Sequence, residues 1–322
     1  MESTAHTHGR LFPPDFVWGA AVSAYQIEGA VEADGRGESI WDRFTTIPGK
    51  IENGETGRVA CDSYHRYRED VRLMRELGLS AFRFSIAWPR VLPEGRGEPN
   101  AAGLDFYDRL VDELLAAGIE PFATLYHWDL PQVLEDAGGW PIRDIVDAFA
   151  EYVEVVAARL GDRVRYWITQ NEPWVISWLG YGLGEHAPGR TSERDALAAA
   201  HHVLCAHGRA VEILRRDVRD AKVGITIDVV PMYAASDSEA DAAAVRQLDG
   251  FRNRWLLDPV LRGEYPADMV EHYAQSLPDV REGDLQAVSA PLDFLGVNYY
   301  TRNIVRADHL HACGHRQARA GQ

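Results

Sequence analysis

The segment Trp167-Ile168-Thr169-Gln170-Asn171-Glu172-Pro173-Trp174 ends an apolar run in an amide, a carboxylate and a proline. A carboxyl set among Trp and Tyr is costly to ionise, so its pKa rises and it can hand over a proton near neutral pH. Pro173 disfavours a helical backbone at Glu172 and predicts an extended one, with the side chain kept in strand register. A lone Glu closing a strand beside an unrelated helix is common; the aromatic company favours chemistry here. Tyr126-His127-Trp128-Asp129 follows the apolar run Phe122-Ala123-Thr124-Leu125. A single His is usually an interior hydrogen-bonding residue, but the adjoining Trp128 and Asp129 point to a polar pocket wall. Arg83 stands inside the apolar stretch Phe82 to Trp88. A buried unpaired charge is prohibitive, so Arg83 needs either a structural ion pair or a carboxylate that it orients.

These groups need a scaffold, and the chain reads as strand, helix, strand, helix. Strands are predicted at Phe16 to Ala21, Ala81 to Trp88, Glu120 to Trp128, Val164 to Gln170, Lys222 to Val229 and Pro291 to Tyr300. Tyr64, Tyr67, Val71, Met74 and Leu77 have helical spacing over Cys61 to Leu77, with Asp62 at the N-cap position and Gly78 as the stop. Further helices are predicted over Ala102 to Ala117, Ile142 to Leu160 and Asp195 to Arg216. That alternation is a parallel α/β pattern. A doubly wound sheet would carry a Gly-rich phosphate loop after its first strand. Here Ser23-Ala24-Tyr25-Gln26-Ile27-Glu28-Gly29 follows, without that spacing. Arg83, His127, Asn171 with Glu172, and Asn298 all lie within or at the carboxyl ends of apolar strands, where a (β/α)₈ barrel gathers its active site.

Composition excludes several partners. The 322 residues carry 33 Lys and Arg against 49 Asp and Glu, a net charge of −16. That balance argues against nucleic acid and anionic membranes. Three cysteines, Cys61, Cys205 and Cys313, are odd in number and widely spaced, which suits a reducing, cytoplasmic setting. No signal peptide and no transmembrane run are read in the sequence. His6 and His8 belong to an expected disordered tail over 1–10. Nine Trp suit a pocket lined with flat apolar faces.

The segments above, with Phe12-Pro13-Pro14-Asp15-Phe16-Val17-Trp18-Gly19, Asn53-Gly54-Glu55-Thr56-Gly57-Arg58-Val59-Ala60-Cys61-Asp62 and Phe294-Leu295-Gly296-Val297-Asn298-Tyr299-Tyr300, resemble the glycoside hydrolases of the β-glucosidase type, usually numbered family one. The resemblance covers about 11–307. It implies a TIM (β/α)₈ barrel that hydrolyses β-glucosides by double displacement. It implies that Glu172 is the acid/base and Asn171 the partner of the sugar 2-hydroxyl. Gln26, His127 and Trp128 are implied as sugar binders, and Trp178 as a platform for the leaving group. Arg83, Asn298 and Tyr300 are implied as the surroundings of the nucleophile. A plant branch of the family has Gln in place of the acid/base; position 172 is Glu. No metal or other cofactor is implied, since two carboxylates suffice.

The family's nucleophile segment, Thr-Glu-Asn-Gly, has no counterpart after Tyr300. Ile51-Glu52-Asn53-Gly54 is similar but lies in the loop before the first major helix, so Glu52 is a decoy. The expectation is about six of eight βα units, ending in a non-family tail over 308–322 produced by a frameshift or truncation. A metal-binding tail using His309, His311, Cys313 and His315 is the alternative reading of that stretch. Low activity, and either poor stability or association with another copy or a complementing fragment, are expected. A sugar-binding fragment without catalysis and a 6-phospho-β-glycosidase are the competing functions.

Overall fold

A computed structural model describes residues 12–308. The expected tail over 1–10, with His6 and His8, and residues 309–322 of the expected tail over 308–322, with the His309, His311, Cys313 and His315 set, lie outside the described residues. Six strands form one parallel sheet in the order β1 (Gly19–Ala21), β2 (Ala81–Ser85), β3 (Glu120–Tyr126), β4 (Tyr166–Asn171), β5 (Lys222–Asp228) and β7 (Phe294–Asn298). All fall inside segments expected to be strands except β4, which runs one residue past the expected end at Gln170. A second, two-stranded sheet pairs β6 (Met232–Ala234) with β8 (Asn303–Val305) and was not expected.

The long helices follow the apolar spacing. In α2 (Ser63–Glu76), Tyr64, Tyr67, Val71 and Met74 are buried, whereas Leu77 falls at the C-cap and is 76% exposed. Gly78 then turns the chain with φ +75°, a conformation that costs glycine little. Asp62 occupies the N-cap position but does not cap: its side chain bonds His65 Nδ1 at 2.6 Å. Ala101–Ala116 (α3), Ile145–Leu160 (α4) and Glu193–Asp217 (α5) complete the outer layer, the last capped by Ser192 accepting from the Asp195 N–H. α5 also packs on α4, on the π-helix Val175–Gly182 and on β4.

β2 to β5 are covered on both faces, as parallel strands between helices must be. β7 is not: Leu295 and Val297 are exposed. The sheet is open between β1 and β7 among the described residues. No helix of the described residues is long and apolar enough to cross a membrane.

Candidate active site

A bulge re-aims the end of β4. Ile168 pairs with Gly224, but Asn171 pairs with Thr226, so β4 carries one extra residue between these points. Glu172 follows with φ +56°, its N–H donating to the Thr226 carbonyl at 2.8 Å. The extended backbone expected from Pro173 is therefore not what the chain adopts. The bulge and the Thr226 bond override the local preference, holding Glu172 in a region that non-glycine residues rarely occupy.

Asn171 is the hub. Its Oδ1 accepts from Arg83 Nη2 and from Asn298 Nδ2. Its amide nitrogen must then donate to His127 Nε2, 3.1 Å away, which places the imidazole proton on Nδ1. Its carbonyl accepts from Trp128 Nε1 at 2.9 Å, and Trp128 itself has φ +81°. Asn298 Nδ2 donates also to Glu172 Oε1. Strands β2, β3, β4 and β7 thus deliver Arg83, His127, Asn171 with Glu172, and Asn298 to one end of the sheet.

Electrostatics separate these groups. Burial raises the Glu172 pKa, and the Asp228 charge adds to the rise; Asn298, Arg252 and Arg83 oppose it. Burial, with Arg83 nearby, lowers His127 to about 3, so it remains a neutral imidazole. Burial also depresses the Arg83 pKa, against the pull of Glu172 and Tyr300. Arg83 makes no ion pair within 4 Å among the described residues. Instead it bonds Thr124 Oγ1 at 3.0 Å and the Asn171 side-chain amide.

Gln26, on α1 (Ala24–Ile27), lines a cavity of ≈ 310 Å³ with His127, Trp128, Trp41, Tyr25 and Glu55. That size admits a small ligand. Tyr300 is 81% exposed beyond β7. Two expectations need correction. Trp178 is only 1% exposed and packs against Phe251, ring centroids 4.6 Å apart, so it belongs to the core and offers no platform. Its aromatic type was read without the helix register that turns it inward. Asp129 is fully buried and does not line the cavity.

Asp228 and Arg252 were missed. Asp228 ends the apolar strand β5 as Asn171 ends β4 just before Glu172, a signal present in the sequence. One cluster of metal-ligand types exists among the described residues: His201, Cys205 and Asp284. There Asp284 already accepts from both Arg143 Nη atoms, the Arg281 N–H and His201, a closed network that leaves the carboxylate no free face for a cation.

Parallel strands alternating with helices, with polar groups gathered at their carboxyl ends, define a barrel-type enzyme. The model of Glycosyl hydrolase family 1 matches residues 8–322. The chain is 49% identical over 299 residues to Beta-glucosidase A of Acetivibrio thermocellus, covering 92% of this chain and 67% of that protein. Thermostable beta-glucosidase B of Thermobispora bispora is 50% identical over 291 residues, covering 90% of this chain and 60% of that protein. The solved Beta-glucosidase from Thermotoga maritima in complex with glucoimidazole superposes with a TM-score of 0.90 at 47% identity, covering 92% of this chain and 68% of that one. The chain belongs to glycosyl hydrolase family 1 and spans about two thirds of the length of these relatives.

Proposed function

We propose that this chain carries the acid/base half of a retaining β-glucosidase site. Glu172 protonates the departing sugar oxygen, and Asn171, His127, Gln26 and Trp128 hold the sugar. The bonded set Arg83, Asn171, His127, Asn298 and Glu172 supports this most, because it ties one raised carboxyl to several sugar-type hydrogen-bonding groups. A terminal β-glucosyl residue is the substrate class we assign, supported by relatives named as β-glucosidases and by the glucoimidazole bound to one of them. Free thiols at Cys61 and Cys205 suit the cytoplasmic setting that belongs to this reading.

Retention needs a second carboxyl roughly 5–5.5 Å from the first. Asp228 is a carboxyl beside Glu172, but its Oδ2 is held by Arg252 and its Oδ1 has no access to solvent. It cannot reach a sugar, so we assign the nucleophile to polypeptide corresponding to the part of the relatives that this chain does not match. With an aryl β-glucoside, the purified chain alone is expected to show little turnover. Added polypeptide carrying the remaining strands restores it, and Glu172→Gln lowers the restored rate by about 10²–10⁴. Strong turnover by the chain alone would refute the divided site. Restored turnover that survives Glu172→Gln would remove the acid/base assignment. Binding without restored turnover would favour a non-catalytic sugar-binding role.

A further inference from the structure

Glu172 sits in a backbone conformation that its neighbours must enforce. Four residues just past strands of the main sheet each donate an N–H to the adjoining strand: Val22 to the Arg83 carbonyl at 3.0 Å, Ile86 to Thr124 at 3.0 Å, Glu172 to Thr226 at 2.8 Å and Val229 to Asn298 at 3.0 Å. Of these four donors, Glu172 alone has a positive φ, +56°. A non-glycine residue in the left-handed region persists only where its surroundings over-determine it. Pro173 and Trp174 continue the chain, so whatever holds Trp174 also holds Glu172.

Trp174 is 4% exposed, yet its Nε1 has no hydrogen-bond partner among the described residues. The indole nitrogens of Trp88, Trp128, Trp140 and Trp167 each donate to an oxygen. The Trp174 ring is instead located by its neighbours' faces and edges. Arg252, from the segment Gly250–Arg254, lays its guanidinium 3.8 Å from the ring centroid, and Phe251 meets the ring at 86° with centroids 5.5 Å apart. The Arg252 side chain is largely desolvated, which strengthens a cation held over an indole face. The same guanidinium is tied to the end of β5: Nη2 donates to Asp228 Oδ2, and Nη1 to the Asp228 carbonyl at 3.4 Å. Asp228 lies two residues beyond Thr226, the acceptor of the Glu172 N–H. A closed circuit results, from Glu172 to Thr226, Asp228, Arg252 and Trp174, and through Pro173 back to Glu172. Arg252 can donate to the Asp228 oxygens in either protonation state of that carboxyl, so the circuit is one of geometry.

We propose that Arg252 is a positioning residue: seated on Trp174 and tied to Asp228, it clamps the Glu172 turn against the end of β5 and so fixes where the Glu172 carboxyl delivers its proton. The inference rests on Glu172 being the acid/base. Arg252 acts through Trp174 and not on the sugar.

The test compares two strand-end amides by hydrogen exchange in the full ¹⁵N-labelled chain. Arg252→Met keeps an unbranched side chain without the charge, and is expected to speed exchange of the Glu172 amide about tenfold relative to that of Ile86. Arg252→Lys keeps the charge without the flat face, so its ratio is expected to fall between the native and the Met values. If Arg252→Met does not fold, Arg252→Lys decides by the same ratio. In enzyme complemented with the remaining strands, Arg252→Met is expected to lower kcat by about 10–10² and leave KM in place, because a displaced proton donor costs rate and not sugar binding. A ratio that stays native in both variants, or two amides that speed equally, would make Arg252 structural and overturn the proposal. So would a raised KM with kcat unchanged. Complemented turnover of Glu172→Gln separately tests the acid/base assignment, so each can fail without the other.

Discussion

Asp129 is fully buried, and neither of its carboxylate oxygens has a hydrogen-bond partner. Burial, only partly offset by Arg36, pushes its pKa from 3.8 up to about 8. The native chain therefore holds this proton through neutral pH, while the unfolded chain releases it near the ordinary value. The resulting stability is complete below about pH 4 and is lost as pH rises through 8. Asp129→Asn has no such proton to lose. Its stability relative to the native sequence is expected to climb with pH between about 4 and 8, by on the order of 6 kcal/mol, and then level. Urea unfolding across that range checks this; a flat difference would contradict it. At this scale the sequence showed where chemistry could sit, since each of Arg83, His127, Asn171, Glu172 and Asn298 marks an apolar strand. It did not show the β4 bulge or the Glu172 backbone, because both depend on register against Thr226. The Asp228–Arg252 pair joins residues 24 apart on a Trp seat, which no local pattern reveals.

At the scale of elements, one buried latch holds the short helix that presents Gln26. The Ala24 N–H donates to Ser85 Oγ at 2.7 Å, fixing the start of α1 to the end of β2. Beyond its other end, Glu28 accepts from Arg90 Nε at 2.9 Å and from Tyr107 OH at 2.7 Å. Arg90, 1% exposed, also stacks over Tyr64 with its guanidinium 4.2 Å from the ring centroid. Arg90→Met leaves Glu28 buried and uncompensated, so a loss of about 3–5 kcal/mol is expected. Glu28→Gln keeps an acceptor for Tyr107 but still strands the arginine, and a smaller loss is expected because the long Arg side chain can reach Gly29 O, 3.2 Å away. Denaturant midpoints rank the two; an Arg90→Met loss under about 1 kcal/mol would show that the latch is slack. Glucoside affinity of the complemented enzyme should fall with Arg90→Met, because α1 carries Gln26 to the cavity. The main strands and helices were legible from period and stop signals. The β6–β8 sheet was not: each strand has three residues, too few for alternation to register, and their pairing is long-range.

For the molecule as a whole, the open sheet decides behaviour in solution. β7 pairs with β5 on one side, and no described strand pairs its other side. Leu295 and Val297, at 38% and 55% exposure, share one face because residues two apart in a strand do. Beside β1, Phe12, Phe16 and Trp18 form a ring cluster with centroids 4.5–4.6 Å apart, and all three are exposed. Unpaired edges and exposed apolar side chains favour association. The net charge of −16 opposes it, and that repulsion is long-ranged and screened by salt. The two forces separate experimentally. Sedimentation of the chain alone should show association that grows with concentration and strengthens as salt is raised. Leu295→Lys with Val297→Lys should shift it toward monomer, since buried charge at an edge is a barrier to pairing. A polypeptide that completes the sheet covers the same edge, so it should suppress self-association in proportion to the glucosidase activity it restores. A monomer at every concentration and salt, melting cooperatively at high temperature, would mean that the open edges are satisfied within the chain itself.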